Sequence, residues 1–83
     1  MKSLFFSFLA MMKQIRNQEL LIRIALRIKQ LREQKNVSQE IMYIDTQIHI
    51  ARIETAKCNL SISTLDAICK YFDITLSEFF QGV

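Results

Sequence analysis

The sequence predicts an all-α fold of five helices, and three observations support this prediction. Proline is absent and glycine occurs only at Gly82, so the chain holds few residues that form tight turns. Apolar residues make up 51% of the 83 residues, which is ample for the core of one small domain. They recur three and four positions apart, and no stretch of useful length alternates as a strand does.

The first helix is predicted from about Gln18 to Lys35. The apolar residues that share one of its faces are Leu20, Leu21, Ile24, Ile28 and Leu31. Its basic residues, Arg32 among them, are expected largely on the other faces. We expect the helix to end near Asn36, because asparagine tolerates the left-handed conformation that often closes a helix.

A short second helix is predicted from about Gln39 to Ile44. Ser38 can accept a hydrogen bond from a free amide of the first turn, and Glu40 places negative charge near the positive end of the helix dipole. Asp45 and Thr46 interrupt the helical pattern. We therefore expect the helix to end before them.

A third helix is predicted from Thr46 to Thr55. Ile50 and Ile53 lie three residues apart and are expected to face the core, with Tyr43 or Ile44 as neighbours. The polar residues expected on the outer side of this helix are Gln47, His49 and Arg52.

The last two helices are predicted from their capping residues. Ser61 or Ser63 starts the fourth helix, and the residues of its buried stripe are Leu65, Ile68 and Phe72. Thr75 and Glu78 fit a capping box, in which each side chain satisfies a free amide of the other residue. The last helix is therefore predicted near Leu76 to Gln81. Its core-facing residues are expected to be Leu76, Phe79 and Phe80.

The net charge of +3 is unevenly distributed along the chain. Residues 1–36 hold eight Lys or Arg and two Glu, whereas residues 37–83 hold three basic and six acidic residues. The basic half either attracts phosphate groups or merely solvates the outer face of a helix. Charge alone does not decide between these two interpretations.

Neither a metal site nor a catalytic site is predicted. Cys58 and Cys69 do not form a Cys-x-x-Cys pair and the chain has one histidine, so we expect two free thiols in a reducing compartment. No Ser-His-Asp order, glycine-rich loop or pair of acids suggests catalysis, and Tyr43 and Tyr71 are expected at the edge of the core. We therefore expect no enzyme activity and no cofactor.

Residues 1–17 are predicted to be a hydrophobic and basic extension of a domain that spans residues 18–83. Lys2 precedes an apolar run from Leu4 to Met12, as in a short secretory signal, but no small-residue cleavage site follows the run. The run is also too short to span a bilayer. We favour a cytoplasmic protein without a membrane anchor. In that case either translation starts at a methionine within the run, or the run is an extra helix that covers a hydrophobic surface.

Several short motifs follow one another in the second half of the chain. They are Ser38-Gln39-Glu40, Ile50, Ile53-Glu54, Lys57, Asn59, Ile68 and Thr75-Leu76-Ser77-Glu78-Phe79-Phe80. In this order and spacing, the run from about Ile24 to Phe80 resembles the Cro and phage-repressor family of helix-turn-helix DNA-binding domains. The resemblance covers about two-thirds of the chain. It implies a compact five-helix domain like that of lambda repressor. Residues 1–17 are expected to precede this domain as an N-terminal helical extension.

One segment departs from the pattern of this family. Between Gln39 and Thr46 the chain is about three residues shorter than is usual and lacks the glycine of the turn. Asp45-Thr46-Gln47 is expected to form the turn instead. Because three residues make nearly one turn of a helix, Ile41 and Ile50 are still expected to face inward.

The resemblance places the third helix in the major groove of DNA, with its first residues at the base edges. The residues implied there are Thr46, Gln47, Ile48, His49 and Arg52. Gln47 can donate to and accept from adenine, and Arg52 can bind a guanine edge or a phosphate. His49 is either a donor to guanine N7 or an ordinary surface histidine. Ile48 either contacts a thymine methyl group or is partly buried.

The resemblance also implies contacts to the DNA backbone and an internal ion pair. Gln39 and the free amides at the start of the second helix would bind one phosphate. Lys57 and Asn59, in the loop after the third helix, would bind another, or are plain loop residues. Arg32 and Glu54 match positions that hold an Arg–Glu pair between the first and third helices, the alternative being two unpaired surface charges.

The resemblance therefore implies a transcriptional regulator, with a repressor as the first hypothesis, that binds double-stranded DNA as a homodimer. The alternative is an antitoxin or another protein-interaction module of the same fold, with a toxin or a second regulator as its partner. A membrane-tethered or exported protein is the least favoured hypothesis.

Overall fold

The computed structural model describes residues 16–83, which form five α-helices and no strand. In chain order the helices are α1 (Gln18–Gln34), α2 (Gln39–Thr46), α3 (Ile50–Glu54), α4 (Ile62–Tyr71) and α5 (Leu76–Gln81). The predicted all-α fold of five helices is confirmed. The apolar run of residues 4–12, and with it the predicted N-terminal helical extension, lies outside the described residues.

Side-chain caps explain where four of the helices begin. Asn17, Ser38 and Ser61 each accept a hydrogen bond from the backbone N–H three residues further on, at 3.0–3.1 Å. Of the two serines predicted to start the fourth helix, the structure therefore selects Ser61. Thr75 and Glu78 form the predicted capping box, with both of its hydrogen bonds at 3.0 Å. The bond from the Thr75 backbone N–H, and then the bond from its side chain, lower the pKa of Glu78.

Four helices are followed by a residue with a positive φ, although none of these residues is glycine. They are Asn36 (φ 54°), Gln47 (61°), Ala56 (58°) and Asp73 (58°). The position of Asn36 after α1 is as predicted. Asparagine and aspartate adopt this conformation readily, whereas it costs other L-residues roughly 1–2 kcal/mol. The conformations of Gln47 and Ala56 therefore depend on their surroundings.

All five helices contribute to one core. Its buried residues are Ile24, Ile28, Leu31, Met42, Ile50, Leu65, Ile68, Cys69, Phe72 and Phe79. The predicted buried faces of α1 and α4 are confirmed in their central residues. The predictions for Leu20 and Phe80 were wrong, because both side chains are exposed at an end of their helix.

Helix α2 turns a different face to the core from the one predicted. Ile41, expected to face inward, is 50% exposed, whereas its neighbour Met42 is completely buried. Since α2 continues to Thr46, Met42 and Thr46 lie four residues apart on its inner side. Ile41 and Ile44 consequently lie on the outer side. The end of α2 is also joined to α4, where the Tyr71 hydroxyl donates to Asp45 at 2.7 Å.

An arginine of α1 holds the C-terminal helix. Arg27 donates from Nε to the Phe79 carbonyl at 3.0 Å and from Nη2 to the Glu78 carbonyl at 3.2 Å. Its guanidinium carbon lies 5.8 Å from the centre of the Phe79 ring. A Cβ added to Gly82 would lie 2.5 Å from Arg27 Nε. The single glycine of the chain therefore permits a close approach of side chain to backbone rather than a tight turn.

Candidate nucleic-acid interface

The connection between α2 and α3 is a turn of three residues, 47–49. It begins at Gln47, whose left-handed backbone (φ 61°, ψ 17°) ends α2 and whose N–H donates to the Tyr43 carbonyl at 2.7 Å. The Thr46 hydroxyl donates to the Met42 carbonyl at 2.7 Å and accepts from the Ile48 N–H at 3.1 Å. Thr46 thus links the last turn of α2 to the residues that lead into α3.

This turn corrects the predicted helix boundaries. Helix α2 ends at Thr46 rather than at Ile44, and α3 begins at Ile50 rather than at Thr46. Thr46 continues the helix because its hydroxyl bonds back to a carbonyl one turn earlier, and the positive φ of Gln47 then breaks it. Thr46 therefore belongs to α2. Gln47 lies in the turn, where its side-chain amide donates to the Ile44 carbonyl at 3.3 Å.

Helix α3 lies between two clefts. One, of about 680 Å³, separates it from Gln39 and Tyr43 of α2. The other, of about 390 Å³, lies between α3 and the segment that includes Asn59. His49 and Arg52 line both clefts, so these two side chains form the exposed ridge between them. We refer to His49 and Arg52 as the α3 ridge.

The two members of the α3 ridge differ in their surroundings. The His49 ring lies against the Tyr43 ring, with 5.0 Å between ring centres. The Arg52 guanidinium forms no hydrogen bond or ion pair with any of the residues 16–83. A guanidinium that is exposed and unpaired is available for an external acceptor, such as a base edge or a phosphate oxygen.

Tyr43 also belongs to this surface, although the sequence predicted it at the edge of the core. It is exposed and lines the cleft between α2 and α3. Tyr43 lies four residues after Gln39, so the two side chains share one face of α2. This spacing could have identified Tyr43 as a residue of the candidate surface. Ile48, by contrast, is half-buried against the core, which agrees with the second of its two interpretations.

Arg32 and Glu54 form a two-point ion pair behind the α3 ridge. Arg32 Nε lies 2.5 Å and Nη2 lies 2.7 Å from the two carboxylate oxygens of Glu54, and the two side chains are 11% and 7% exposed. Nη1 of Arg32 donates to the Val37 carbonyl at 3.0 Å. The hydrogen bond to Glu54 is the main reason that the pKa of Arg32 is raised. Arg32 is therefore buried between α1 and α3, where it is paired with Glu54.

Gln39 joins this ion pair to the start of α2. Its side-chain amide donates to Glu54 Oε1 at 3.1 Å, so one of its two amide hydrogens is engaged within the protein. Three helices thus meet at the Glu54 carboxylate. The contact fixes Gln39 at the first residue of α2, where free backbone N–H groups point outward.

The two loop residues expected to contact phosphate lie beyond the end of α3. Lys57 and Asn59 are both exposed, and Asn59 lines a cleft together with the α3 ridge, whereas Lys57 does not. The buried Ala56 turns the chain at this point with its positive φ. Its carbonyl accepts from Nε2 of Gln18 at 2.8 Å, which ties the loop to the start of α1.

Within residues 16–83 no three His, Cys, Asp or Glu side chains are grouped as metal ligands would be. Cys58 and Cys69 are free thiols, and burial is the main cause that raises the pKa of Cys69. None of the described helices combines the length and the apolar character that crossing a bilayer requires.

The comparison with known protein families agrees with this geometry. The family model described as the Cro/C1-type HTH DNA-binding domain matches residues 27–81, which span all five helices except the first turns of α1. No curated protein and no solved structure matches the chain. Because the family match covers well over half of the chain, this protein belongs to the Cro/C1-type family of helix-turn-helix DNA-binding domains.

Proposed function

We propose that this protein is a sequence-specific transcriptional regulator that acts as a repressor by inserting α3 into the major groove of double-stranded DNA. The observation that carries the proposal is the α3 ridge, where His49 and the unpaired Arg52 stand between two clefts at the start of α3. In helix-turn-helix proteins this part of the recognition helix meets the base edges. We place the regulator in the cytoplasm, with the DNA.

The α3 ridge supplies the donors that base recognition requires. Arg52 can donate two hydrogen bonds to O6 and N7 of a guanine, and His49 can donate one to an acceptor in the groove. The Tyr43 ring restricts the orientation of the His49 ring, since the two are in contact. Gln47 and Thr46 precede α3, so we propose for them contacts to a base or sugar at the edge of the groove.

Backbone contacts are proposed on both sides of the α3 ridge. The free N–H groups at the start of α2, together with the remaining amide hydrogen of Gln39, suit one phosphate. Lys57 and Asn59 suit a second phosphate from the other side. The ion pair of Arg32 with Glu54 positions α3 relative to these two groups of phosphate-binding residues.

Selection from a pool of random duplexes tests this function, with the purified full chain at one physiological salt concentration. Two-fold operators suit a homodimer, so we expect enrichment of a pseudo-palindrome whose half-sites lie about one helical turn apart. The salt concentration must be fixed because phosphate contacts make DNA affinity depend steeply on salt. Binding without enrichment, or no binding, would contradict a sequence-specific regulator.

A second candidate function is that of an antitoxin or a protein-interaction module. The observation in its favour is that three large apolar or aromatic side chains of α2 are exposed, those of Ile41, Tyr43 and Ile44. A group of exposed apolar side chains of this kind is typical of protein contacts. For an interaction module, Arg52→Ala would leave partner binding intact and Ile44→Asp would abolish it. For a regulator, Arg52→Ala would weaken DNA binding and Ile44→Asp would leave DNA binding intact.

A further inference from the structure

The side chain of His49 on the α3 ridge is not held by the helix that it precedes. His49 stands directly before α3, where a side chain commonly accepts a hydrogen bond from a free N–H of the first turn, yet its ring forms no such bond. The ring is also exposed, so the core does not fix it. The orientation of the ring must therefore depend on another contact.

The backbone of His49, in contrast, is fixed by a tight turn. The Ile50 N–H donates to the Ile48 carbonyl at 2.8 Å, and the torsion angles of His49 (φ −76°, ψ 76°) are close to those of an inverse γ-turn. The His49 carbonyl accepts from the Ile53 N–H at 3.2 Å, which joins the residue to the first turn of α3. The Cα–Cβ bond of His49 therefore has one direction, and only rotation about the side-chain bonds is left to be restricted.

Tyr43 of α2 supplies the contact that restricts this rotation. The centres of the Tyr43 and His49 rings are 5.0 Å apart and the ring planes are inclined by 33°, in the range where aromatic rings attract each other. Tyr43 is itself well anchored. Its side chain is only 38% exposed, its neighbour Met42 is completely buried, and its carbonyl accepts from the Gln47 N–H at 2.7 Å. The fixed ring of α2 thus lies against the unfixed ring of the α3 ridge.

We propose that Tyr43 determines the preference for one base pair by holding the His49 ring, without contacting a base itself. The inference rests on the proposed function, in which the α3 ridge meets the base edges. A ring that is held before binding presents the same edge to the groove in every encounter and loses less rotational freedom when it binds. Tyr43 is therefore a positioning residue that acts through His49.

NMR of the free full chain tests the ring contact, because His49 is the only histidine in the sequence. We expect a nuclear Overhauser effect between the ring protons of positions 43 and 49 in the wild type and in Tyr43→Phe, which keeps the ring. In Tyr43→Ala the His49 ring signals should move to the positions of a histidine in an unfolded peptide. A wild type whose His49 signals already have these positions, without the Overhauser effect, would overturn the proposal whatever the DNA results.

Fluorescence anisotropy with the selected duplex and its single-base variants tests the effect on preference. The base pair concerned is the one at which His49→Ala loses its preference. There the wild type and Tyr43→Phe should discriminate at least about fivefold, as for one recognised base pair, and Tyr43→Ala no more than about twofold. Tyr43→Leu, which keeps apolar bulk without a ring, should behave as Tyr43→Ala does. Preferences at the other base pairs should persist, whereas a purely structural role of Tyr43 would weaken binding to all duplexes alike.

A double variant decides whether Tyr43 acts through His49. With His49→Ala present, adding Tyr43→Ala should change the affinity for each duplex by no more than about twofold, because the two substitutions remove one interaction. Ile44→Ala, at the next residue of α2 and 58% exposed in the wild type, is the matched control and should leave every preference unchanged. Circular dichroism checks that each variant folds.

Three results would overturn the proposal while leaving the proposed function intact. They are an unchanged preference in Tyr43→Ala, an equal loss of affinity for all duplexes in that variant, and a further loss when Tyr43→Ala is added to His49→Ala. A wild type that prefers no sequence would contradict the proposed function as well.

Discussion

The long helices α1 and α4 and the short helices α2 and α3 are stabilised in different ways. Helices α1 and α4, of 17 and 10 residues, begin at side-chain caps and are followed by Asn36 and Asp73, which tolerate a positive φ. Helix α2 also begins at a side-chain cap, Ser38, but helix α3 has only five residues, and His49 at its start forms no capping hydrogen bond. Helices α2 and α3 are followed by Gln47 and Ala56, in a conformation unfavourable to both.

The difference implies that the helix-turn-helix is held mainly by contacts with the rest of the domain. A five-residue helix is not stable by itself, because helix nucleation is unfavourable. Met42 and Ile50 are completely buried, one on each of the two short helices, and Glu54 is paired with Arg32 of α1. Substitutions at these contacts should therefore weaken the DNA-binding part of the molecule most.

The largest loss of stability is expected from Glu54→Ala. This substitution leaves the Arg32 guanidinium buried without its partner, and such a loss costs about 3–5 kcal/mol. The double variant Arg32→Met/Glu54→Leu should recover most of the loss, because two apolar side chains leave no unpaired charge. Urea denaturation measures both.

The exposed ion pair between Asp66 and Lys70 is the control for Glu54→Ala. Its side chains are 42% and 77% exposed, so Asp66→Ala should change the free energy of unfolding by no more than about 0.5 kcal/mol. A similar cost for the Glu54 and Asp66 variants would mean that the ion pair between α1 and α3 does not hold α3.

The next largest effect is expected at Met42, the core residue of α2. Met42→Ala should lower the free energy of unfolding by about 3 kcal/mol, because it leaves a cavity among buried residues. Ile41→Ala, one position away on the exposed side, should cost less than about 1 kcal/mol. The opposite order in a denaturation experiment would show that the phase of α2 is the one predicted from the sequence.

A gain in stability is expected at the turn of the helix-turn-helix. Gln47→Gly should raise the free energy of unfolding by about 1 kcal/mol, since glycine adopts a positive φ without strain. Asn36→Gly is the control. It should change the free energy of unfolding by only a few tenths of a kcal/mol, because asparagine already tolerates this conformation. Thermal denaturation compares the two, and a destabilised Gln47→Gly variant would contradict the described turn.

The smallest effect is expected from the capping box of α5. The pKa of Glu78 is lowered from 4.5 by its bonds to Thr75, so the folded state favours the ionised carboxylate. The resulting stabilisation is present above pH 4.5 and is lost as the pH falls through the lower pKa of the folded state. Denaturation of the wild type and of Glu78→Gln between pH 3 and 7 should therefore converge at acid pH. If the free energies of unfolding of the wild type and Glu78→Gln differed by a constant amount from pH 3 to 7, ionisation of Glu78 would not contribute to stability through the capping box.

Much of the fold was predictable because its signals are local. The end of α1 and the start of α5 were predicted from Asn36 and from the capping box of Thr75 and Glu78, signals that lie within one turn of the helix end. The phase of α2 was not predictable, because Ile41 and Met42 are both apolar and only tertiary packing distinguishes them. The ion pair of Arg32 with Glu54 joins residues 22 positions apart, so it was expected from the family resemblance and not from any local pattern.

The sequence predicted which residues form the candidate site better than it predicted where the helices of the site begin and end. His49, directly before α3, and Arg52, within it, are both exposed, as the sequence indicated. The start of α3 was misplaced because Thr46 bonds back into α2, and no local pattern distinguishes this from a helix start. Threonine and aspartate occur both at helix N-caps and in the last turn of a helix.

The central claim is that the α3 ridge contacts bases, and binding of Arg52→Ala to the selected duplex tests it most directly. Fluorescence anisotropy of the wild type and the variant, over a series of duplexes with single base changes, gives both affinity and preference. We expect a loss of about 1–3 kcal/mol with the preference relaxed at one position, and a dependence on salt that is nearly unchanged. Unaltered affinity would contradict the claim, and so would a uniform loss over all duplexes with a reduced salt dependence.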